Sequence, residues 1–250
     1  MKITRKDFLR LSGLSLLAAG GRKAVHAVAP QAQTAASTRK VRWGLVIDLR
    51  KCRDGCEESI RACNALHNIP QLAQRAHEIK WIWTEPFGKI FPFAQNNYAD
   101  TQDAAAPVPL LCNHCENPPC TRVCPTQATW KREDGIVMMD WHRCIGCRYC
   151  VAACPYGSRS FNWEDPRPAL ATINPDFPTR TKGVVEKCNF CEERLAQGLQ
   201  PACVEASKNG AFVFGNLADP DSEPRKLLRT RFSIQREPEL GTGPSIYYLV

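Results

Sequence analysis

Short apolar runs, separated by polar and proline-containing stretches, make up the hydrophobic pattern of this chain. The run at 41–48 predicts a buried strand, and further strands are predicted at 79–83, 135–140 and 211–214. Proline and asparagine are frequent at 164–183, which is therefore expected to form surface loops. These short elements place the folded part of the chain between residues 41 and 217.

The flanking segments have a different character. Residues 1–10 are charged, residues 11–21 are moderately apolar, and residues 25–27 (Val-His-Ala) have the small-residue pattern of a cleavage site. This order predicts an export signal peptide at 1–27. The apolar stretch is too short to cross a bilayer as a helix, which takes about 20 residues. An uncleaved anchor or an amphipathic first helix remains the alternative.

Two other segments carry few apolar anchors. Residues 28–40 are rich in Ala, Gln, Thr and Ser and are expected to form a flexible leader. Residues 218–250 are polar and are expected to form a C-terminal tail. No segment after the signal approaches 18 consecutive apolar residues, so we expect no membrane span there.

Cysteine content changes the picture most. The chain has 14 cysteines in 250 residues, and a chain of this length can bury a core without disulfides. A disulfide framework is therefore only an alternative. The formal net charge is +8, but there is no Lys/Arg run interleaved with aromatic residues. We therefore expect no nucleic-acid partner.

The cysteines recur in four groups, which is an internal repeat. The groups lie at 52–63, 112–124, 144–154 and 188–203. Short helices are expected after them, for example at 151–153 and 192–197.

The third group is a Cys-x2-Cys-x2-Cys-x3-Cys-Pro run, which is typical of bacterial ferredoxins. The second group is the same run with two additional residues before its third cysteine. In such pairs each run wraps three thiolates around one [4Fe–4S] cluster, and its fourth cysteine ligates the cluster of the other run. Zinc also binds Cys-x2-Cys pairs, but zinc fingers do not repeat this run twice.

This crossover rule predicts two ligand sets. The a set is Cys112, Cys115, Cys120 and Cys154, and the b set is Cys144, Cys147, Cys150 and Cys124.

Groups one and four should pair in the same way, but both are incomplete. The crossover rule yields one full c set, formed by Cys188, Cys191, Cys203 and Cys63. The remaining site would have Cys52, Cys56, Ser59 and Ser207. Two thiolates and two weakly acidic hydroxyls make a poor cubane site, so we predict that this degenerate fourth site holds no cluster. Cys52 and Cys56 can instead form a disulfide if the protein is exported.

Other polar residues near the runs have simpler interpretations. His114 lies inside the second run, where a surface or supporting role is expected rather than ligation. His142, Arg143 and Arg148 flank the third run and are expected to be solvated, although positive charge there would raise the potential of a nearby cluster.

The runs at 112–120, 140–157 and 187–191 resemble the four-cluster ferredoxin-type electron-transfer subunits of membrane-bound redox complexes, such as polysulfide reductase and dimethyl-sulfoxide reductase. The resemblance covers most of residues 41–217. It implies an α+β fold of two ferredoxin-like modules with pseudo-two-fold symmetry and inserted strands and loops. The central module would be 112–160, and 41–66 would pair with 184–217 in the second.

Within this family the chain most resembles the DsrO-type periplasmic iron–sulfur subunits of Dsr membrane complexes in dissimilatory sulfur metabolism. That resemblance implies three partners: an NrfD-like integral membrane quinone-interacting subunit, a multihaem cytochrome c and other subunits of the complex. In family members with a molybdenum subunit, the cluster that is degenerate here faces that subunit. The resemblance thus favours an electron relay that is not itself an enzyme. The alternative is the electron-transfer subunit of a molybdopterin oxidoreductase.

Residues 4–10 bear on location, because they resemble the twin-arginine export motif with Lys6 in place of the second arginine. Clusters are inserted in the cytoplasm, so a cluster protein has to cross the membrane folded. A periplasmic location, at the membrane through partner subunits, is therefore expected.

Overall fold

A computed structural model describes residues 41–52, 56–94 and 101–250. The predicted signal peptide and leader at 1–40 lie outside these residues. Strands and short helices alternate along the described residues, which therefore form an α+β protein.

Ten strands are present in the described residues. They are β1 (Trp43–Asp48), β2 (Ile82–Pro86), β3 (Pro107–Leu111), β4 (Thr129–Lys131), β5 (Val137–Met139), β6 (Ser160–Phe161), β7 (Val185–Glu186), β8 (Phe212–Asn216), β9 (Ser233–Ile234) and β10 (Ile246–Leu249).

Eight α-helices accompany them in the same described ranges, most of them a single turn. They are α1 (Glu57–Leu66), α2 (Phe87–Ile90), α3 (Thr101–Ala105), α4 (Pro119–Arg122), α5 (Tyr149–Ala152), α6 (Glu192–Leu195), α7 (Ala202–Glu205) and α8 (Glu223–Thr230).

The largest sheet has four strands in the order β8-β1-β10-β9. β1 pairs antiparallel with β8 and parallel with β10, and β9 closes the far edge. Three two-stranded sheets, β2-β3, β4-β5 and β6-β7, carry the loops in which most cysteines lie.

Residues 218–250 differ from the tail that we expected. Ile246, Tyr248 and Leu249 are fully buried in β10, in the middle of the main sheet. Tyr248 donates a hydrogen bond to the Pro109 carbonyl at 3.1 Å. The apolar run that forms β10 has only four residues and is too short to stand out against the polar residues before it. A strand of this length can nevertheless occupy the centre of a sheet, because alternate side chains point to opposite faces and can be buried on both.

The four strands expected from the hydrophobic pattern are present with shifted ends. β1, β5 and β8 fall within or beside the runs at 41–48, 135–140 and 211–214, whereas β2 begins only at Ile82.

The stretch at 164–183 has no strand or α-helix, as expected, but it is not simply surface. Phe177 and Arg180 are buried, and the Arg180 guanidinium forms an ion pair with Glu186 at 2.7 Å. This ion pair fixes the segment against β7. Periodicity could not reveal it, because a pattern of apolar and polar residues does not show which charged side chains are buried against a partner.

Candidate metal centre

The second cysteine run lies between β3 and α4. Cys112 and Cys115 follow the end of β3, and Cys120 is held on α4, which begins with proline at its first position. Proline there fits the first helical turn because its missing N–H would have no intrahelical partner.

A second segment clamps this loop from outside. The backbone N–H groups of Glu116 and Asn117 donate to the carbonyls of Gly243 (2.7 Å) and Thr242 (2.8 Å). The Ser245 N–H donates to the Asn113 carbonyl at 2.8 Å. The residues just before β10 therefore fix the shape of the second run, a contact that no local sequence signal announces.

The thiols of the a set lie within electrostatic reach of one another. Burial raises the pKa of Cys115 to about 12, and the neighbouring thiols of Cys112, Cys120 and Cys154 add to the rise, against a hydrogen bond from Thr242. Burial and the Cys112 charge likewise raise the pKa of Cys154. The structure thus brings all four predicted residues together.

The third run is more open to solvent. Cys144 and Cys147 are half-buried, while Cys150 on α5 is buried. Burial raises the pKa of Cys150, the Arg159 cation opposes the rise, and Cys144 and Cys124 are among the thiols that contribute to it. Three of the four b-set residues are therefore near one another, and Cys147 lies on the same loop.

The c set is the most enclosed. Its four cysteines line one internal cavity. Cys63 lies on α1, Cys188 and Cys191 lie in the loop that precedes α6, and Cys203 lies on α7. All four are buried, and burial raises the pKa of each thiol, that of Cys203 to about 12. Residues more than a hundred positions apart in sequence are thus gathered around one space.

The degenerate fourth site has a different form. Cys52 and Cys56 form a disulfide with their Cα atoms 5.3 Å apart. Ser59 and Ser207 line a surface pocket together with Cys56. The Ser207 hydroxyl accepts hydrogen bonds from the backbone N–H groups of Ala211 (3.1 Å) and Phe212 (3.4 Å), and thus stabilises the turn that leads into β8.

Each cysteine loop contains a non-glycine residue in left-handed backbone conformation. Cys56 (φ 55°) and Cys191 (φ 51°) directly precede α1 and α6, and Arg148 (φ 62°) directly precedes α5. The second run differs, because its helix begins after Pro118 with φ −72°. His114 (φ 40°) instead lies just before the second cysteine of its run, the position that Gly146 (φ 69°) and Phe190 (φ 60°) hold in the third and fourth groups. Such a backbone is uncommon outside glycine, asparagine and aspartate, so these three Cys-x-x-Cys segments share an unusual turn.

His114 is not at the surface. Its ring is fully buried and stacks on Phe190, with ring centroids 3.7 Å apart, and its Nδ1 accepts a hydrogen bond from the Val137 N–H at 3.0 Å. Burial, together with the charges of Lys187 and Arg42, keeps the pKa of this imidazole well below its usual range. It therefore joins the loops of the second and fourth groups.

Two buried cations escaped sequence reasoning. Lys187 is 1% exposed and donates to the carbonyl oxygens of Val137 and Cys188, the latter at 2.7 Å. Arg159 is 5% exposed and donates to Thr129 Oγ1 at 2.8 Å. Lys187 directly precedes the fourth group, and its position beside a ligand-type cysteine is the only signal the sequence offers.

The two buried cations indicate whether the thiol sets are suited to an anionic cluster. Neither Lys187 nor Arg159 forms an ion pair with any carboxylate of the described residues; the groups that can carry negative charge near them are cysteines, and the Arg159 cation itself acts unfavourably on Lys187. A buried charge without a partner costs several kcal/mol. Thiolate-bound [4Fe–4S] clusters are anionic and would supply that partner, so the residues present fit such clusters.

A further possible metal-binding trio lies beside the c set. Ligand atoms of His67, Cys191 and Glu193 lie within 4.8 Å of one another. The His67 ring is already held by Glu193 at 2.9 Å, and its Nδ1 lies 3.6 Å from the Cys63 sulfur. This geometry makes His67 a support for Cys63.

Within the described ranges, no helix is both long and apolar enough to span a bilayer.

Comparison with known proteins agrees with this geometry. Residues 104–169 match the model of the 4Fe-4S dicluster domain, which covers the second and third runs.

Relatives extend the match over the rest of the sequence. The iron-sulfur subunit 1 of an Hdr-like menaquinol oxidoreductase from Archaeoglobus fulgidus is 39% identical over 98% of this chain and 97% of its own length. The iron-sulfur cluster-binding subunit of menaquinone reductase from Nitratidesulfovibrio vulgaris is 37% identical over 84% of this chain and 89% of its own. The B polypeptide of polysulfide reductase from Wolinella succinogenes is 34% identical over 82% and 93%.

The first two of these relatives are named as the iron–sulfur subunits of their oxidoreductases. With near-complete coverage, thiol sets that fit [4Fe–4S] clusters, and a matching dicluster domain, this protein belongs to the family of ferredoxin-type iron–sulfur electron-transfer subunits.

Proposed function

We propose that this protein is a periplasmic relay of three [4Fe–4S] clusters that carries electrons between a membrane quinone-interacting subunit and a cytochrome c or another redox partner in dissimilatory sulfur metabolism. The observation that carries the proposal is the sorting of the cysteines. Twelve are free thiols in the three predicted neighbourhoods, and the other two form a disulfide.

Ferredoxin-like pairing of the groups is supported by contacts between distant segments. β1 pairs with β8, and α1 and α7 pack together, so residues 41–66 meet residues 184–217. In the central module, α4 packs on α5. We assign the a, b and c sets to one cluster each on this basis.

Each cluster, when bound, takes up and gives back one electron. The protein supplies the rest. The thiolates fix the iron positions, the burial of Cys63, Cys188 and Cys203 keeps water from the c set, and the hydroxyl of Thr242 donates to Cys115. Hydrogen bonds to sulfur, burial and nearby charge are the terms that set cluster potential.

The partner subunits of the complex are inferred from the ligands that the degenerate fourth site lacks. Because Cys52 and Cys56 are joined and two serines take the place of the other ligands, the proposed three-cluster relay lacks the outer cluster that would face a molybdopterin subunit. The relatives from menaquinol and menaquinone oxidoreductases support a quinone-interacting membrane partner. The proposed form of that partner is an NrfD-like integral membrane subunit. A multihaem cytochrome c and other Dsr-type subunits complete the proposed complex.

The second candidate is the electron-transfer subunit of a molybdopterin oxidoreductase. It is favoured by the 34% identity to the polysulfide reductase polypeptide and the 39% identity to a putative dimethyl sulfoxide reductase iron-sulfur subunit from Halobacterium salinarum. Purification of the native complex separates the two: molybdenum with a large catalytic subunit supports the second, whereas haem and a membrane subunit without molybdenum support the first.

Iron analysis tests the cluster count. We expect about 12 iron and 12 acid-labile sulfide per chain, four of each per cluster. Sixteen of each after anaerobic purification would contradict the three-cluster assignment.

Cysteine variants test the pairing of groups one and four. Cys63→Ala should remove about four irons, because it takes one thiolate from the c set. The matched control is the double variant Cys52→Ala/Cys56→Ala, which should remove none. Iron loss in the control but not in Cys63→Ala would show that the first group is aligned wrongly.

A further inference from the structure

Lys187 and Arg159 lie in the spaces between the cysteine sets. The Lys187 ammonium donates to the Cys188 carbonyl of the c set at 2.7 Å, and Cys112 and Cys120 of the a set also act on it, as does the like charge of Arg159. Arg159 hydrogen-bonds the Cys120 side chain of the a set, and Cys112 of the same set and Cys150 of the b set also act on it. One cation therefore lies between the a and c sets, and the other between the a and b sets.

Both positions are sealed from water. Lys187 is held by two backbone carbonyls, and Arg159 by Thr129 and the sulfur of Met139 at 3.7 Å. Away from bulk solvent and without carboxylates, these charges are poorly screened, so they act on the nearest clusters far more strongly than a surface cation would.

The two cations are distributed unevenly among the three cysteine sets. Each acts on the a set and on one other set, so the a set has two buried cations nearby, while the b and c sets have one each. Reduction of a cluster from [4Fe–4S]²⁺ to [4Fe–4S]⁺ adds one electron and hence one negative charge. A nearby cation favours that charge and raises the potential.

We propose that Lys187 and Arg159 are positioning residues that make the a-set cluster the highest in potential of the three, so that one electron entering the protein rests on that central cluster. The inference rests on the ligand sets of the proposed function. An electron supplied by the reduced partner would then leave the a-set cluster through the b-set or the c-set cluster. Each cation would also lower the electrostatic repulsion between the two reduced clusters beside it.

Redox titration followed by EPR tests this directly. Each signal is first assigned by its loss in a ligand variant, Cys120→Ala for the a set, Cys144→Ala for the b set and Cys63→Ala for the c set. In the native protein the a-set signal should appear at the highest potential.

Two charge-removing variants should then give different patterns. Lys187→Gln, which keeps a donor for the carbonyls, should shift the a and c signals to lower potential and leave the b signal in place. Arg159→Gln should shift the a and b signals and leave the c signal in place. Arg143→Gln removes a cation with a 66% exposed side chain, one residue before Cys144, and should shift none of the signals appreciably, because solvent screens it.

The outcomes separate this inference from the cluster assignment. Iron and sulfide are measured on every preparation, so a wild-type count other than about 12 would contradict the ligand sets. Unshifted potentials at full iron content, or equal shifts in all three signals, would overturn only the role of the cations. If Lys187→Gln loses iron, the test is the comparison of Arg159→Gln with Arg159→Lys. Arg159→Lys keeps the positive charge and should therefore restore the a and b potentials that Arg159→Gln lowers.

Discussion

Gly146 shows how a single residue determines a cysteine loop. It lies between Cys144 and Cys147 with φ +69°, and a Cβ there would come within 2.4 Å of the Gly183 carbonyl and 3.2 Å of the Phe161 ring. Only glycine satisfies both the backbone and the space at this position.

Gly146→Ala should therefore damage the third run. A left-handed alanine costs about 1–2 kcal/mol, and the backbone clash adds to this cost. We expect loss of about a third of the iron, measured per chain in the purified protein.

The matched control is Gly157→Ala. Gly157 has a similar φ of +63°, but a Cβ there would meet no atom within 4 Å. This variant should keep its iron, and equal losses in both variants would show that φ alone, and not the contact with Gly183, accounts for the damage.

At this scale the sequence predicts which cysteines form each ligand set, but it says little about the residues that surround them. Spacing within a run is local, so the a, b and c sets follow from chain positions and the crossover rule. Lys187, Arg159 and His67 could not be foreseen, because their burial depends on segments that meet only in the folded protein.

Among the strands and helices, β10 contributes both to the main sheet and, through the segment before it, to the second cysteine run. It pairs with β1 through four residue pairs, and the segment before it clamps the second cysteine run. The hydrophobic pattern located β1, β5 and β8, but it left residues 218–250 as a tail. Four apolar residues are a weak local signal, and the partner strand lies about 200 residues away.

Burial of Tyr248 in β10 predicts a pH dependence. Burial raises the pKa of its hydroxyl above the ordinary value of about 10. The unfolded protein therefore loses this proton at lower pH than the folded protein, so stability is complete below about pH 10 and falls as pH rises above it.

Urea unfolding followed by circular dichroism between pH 8 and 11 measures this effect. Tyr248→Phe should lower stability at pH 8 by about 1 kcal/mol, because it removes the hydrogen bond to Pro109. Its stability should also fall less steeply than that of the wild type above pH 10. Parallel curves would argue against a buried, protonated Tyr248.

Across the whole molecule, the exposure of the cysteine sets forms a gradient. The c-set thiols are all below 9% exposed, whereas Cys144 and Cys147 are half-buried beside the 67% exposed side chain of Ile145 and the 64% exposed Tyr149. Access of solvent and oxidants should follow the same order.

Oxidative stripping tests this gradient in the isolated protein. Treatment with ferricyanide and EDTA should release about four irons in a fast phase, from the b set, before the others. Cys63→Ala should keep the fast phase, and Cys144→Ala should lack it. A fast phase missing from Cys63→Ala would instead mean that the enclosed set is attacked first.

The position of β10 also affects the order in which the protein can be made. Strand β1 is synthesised early, but its parallel neighbour emerges only about 200 residues later, and contacts so distant in sequence form late. A nascent polypeptide on the ribosome therefore has all four cysteine groups synthesised before the clamp on the second group exists. Iron delivered then would meet an unsupported loop. Complete cluster loading thus follows the synthesis of residues 242–249, and a translation product interrupted before them should remain short of iron.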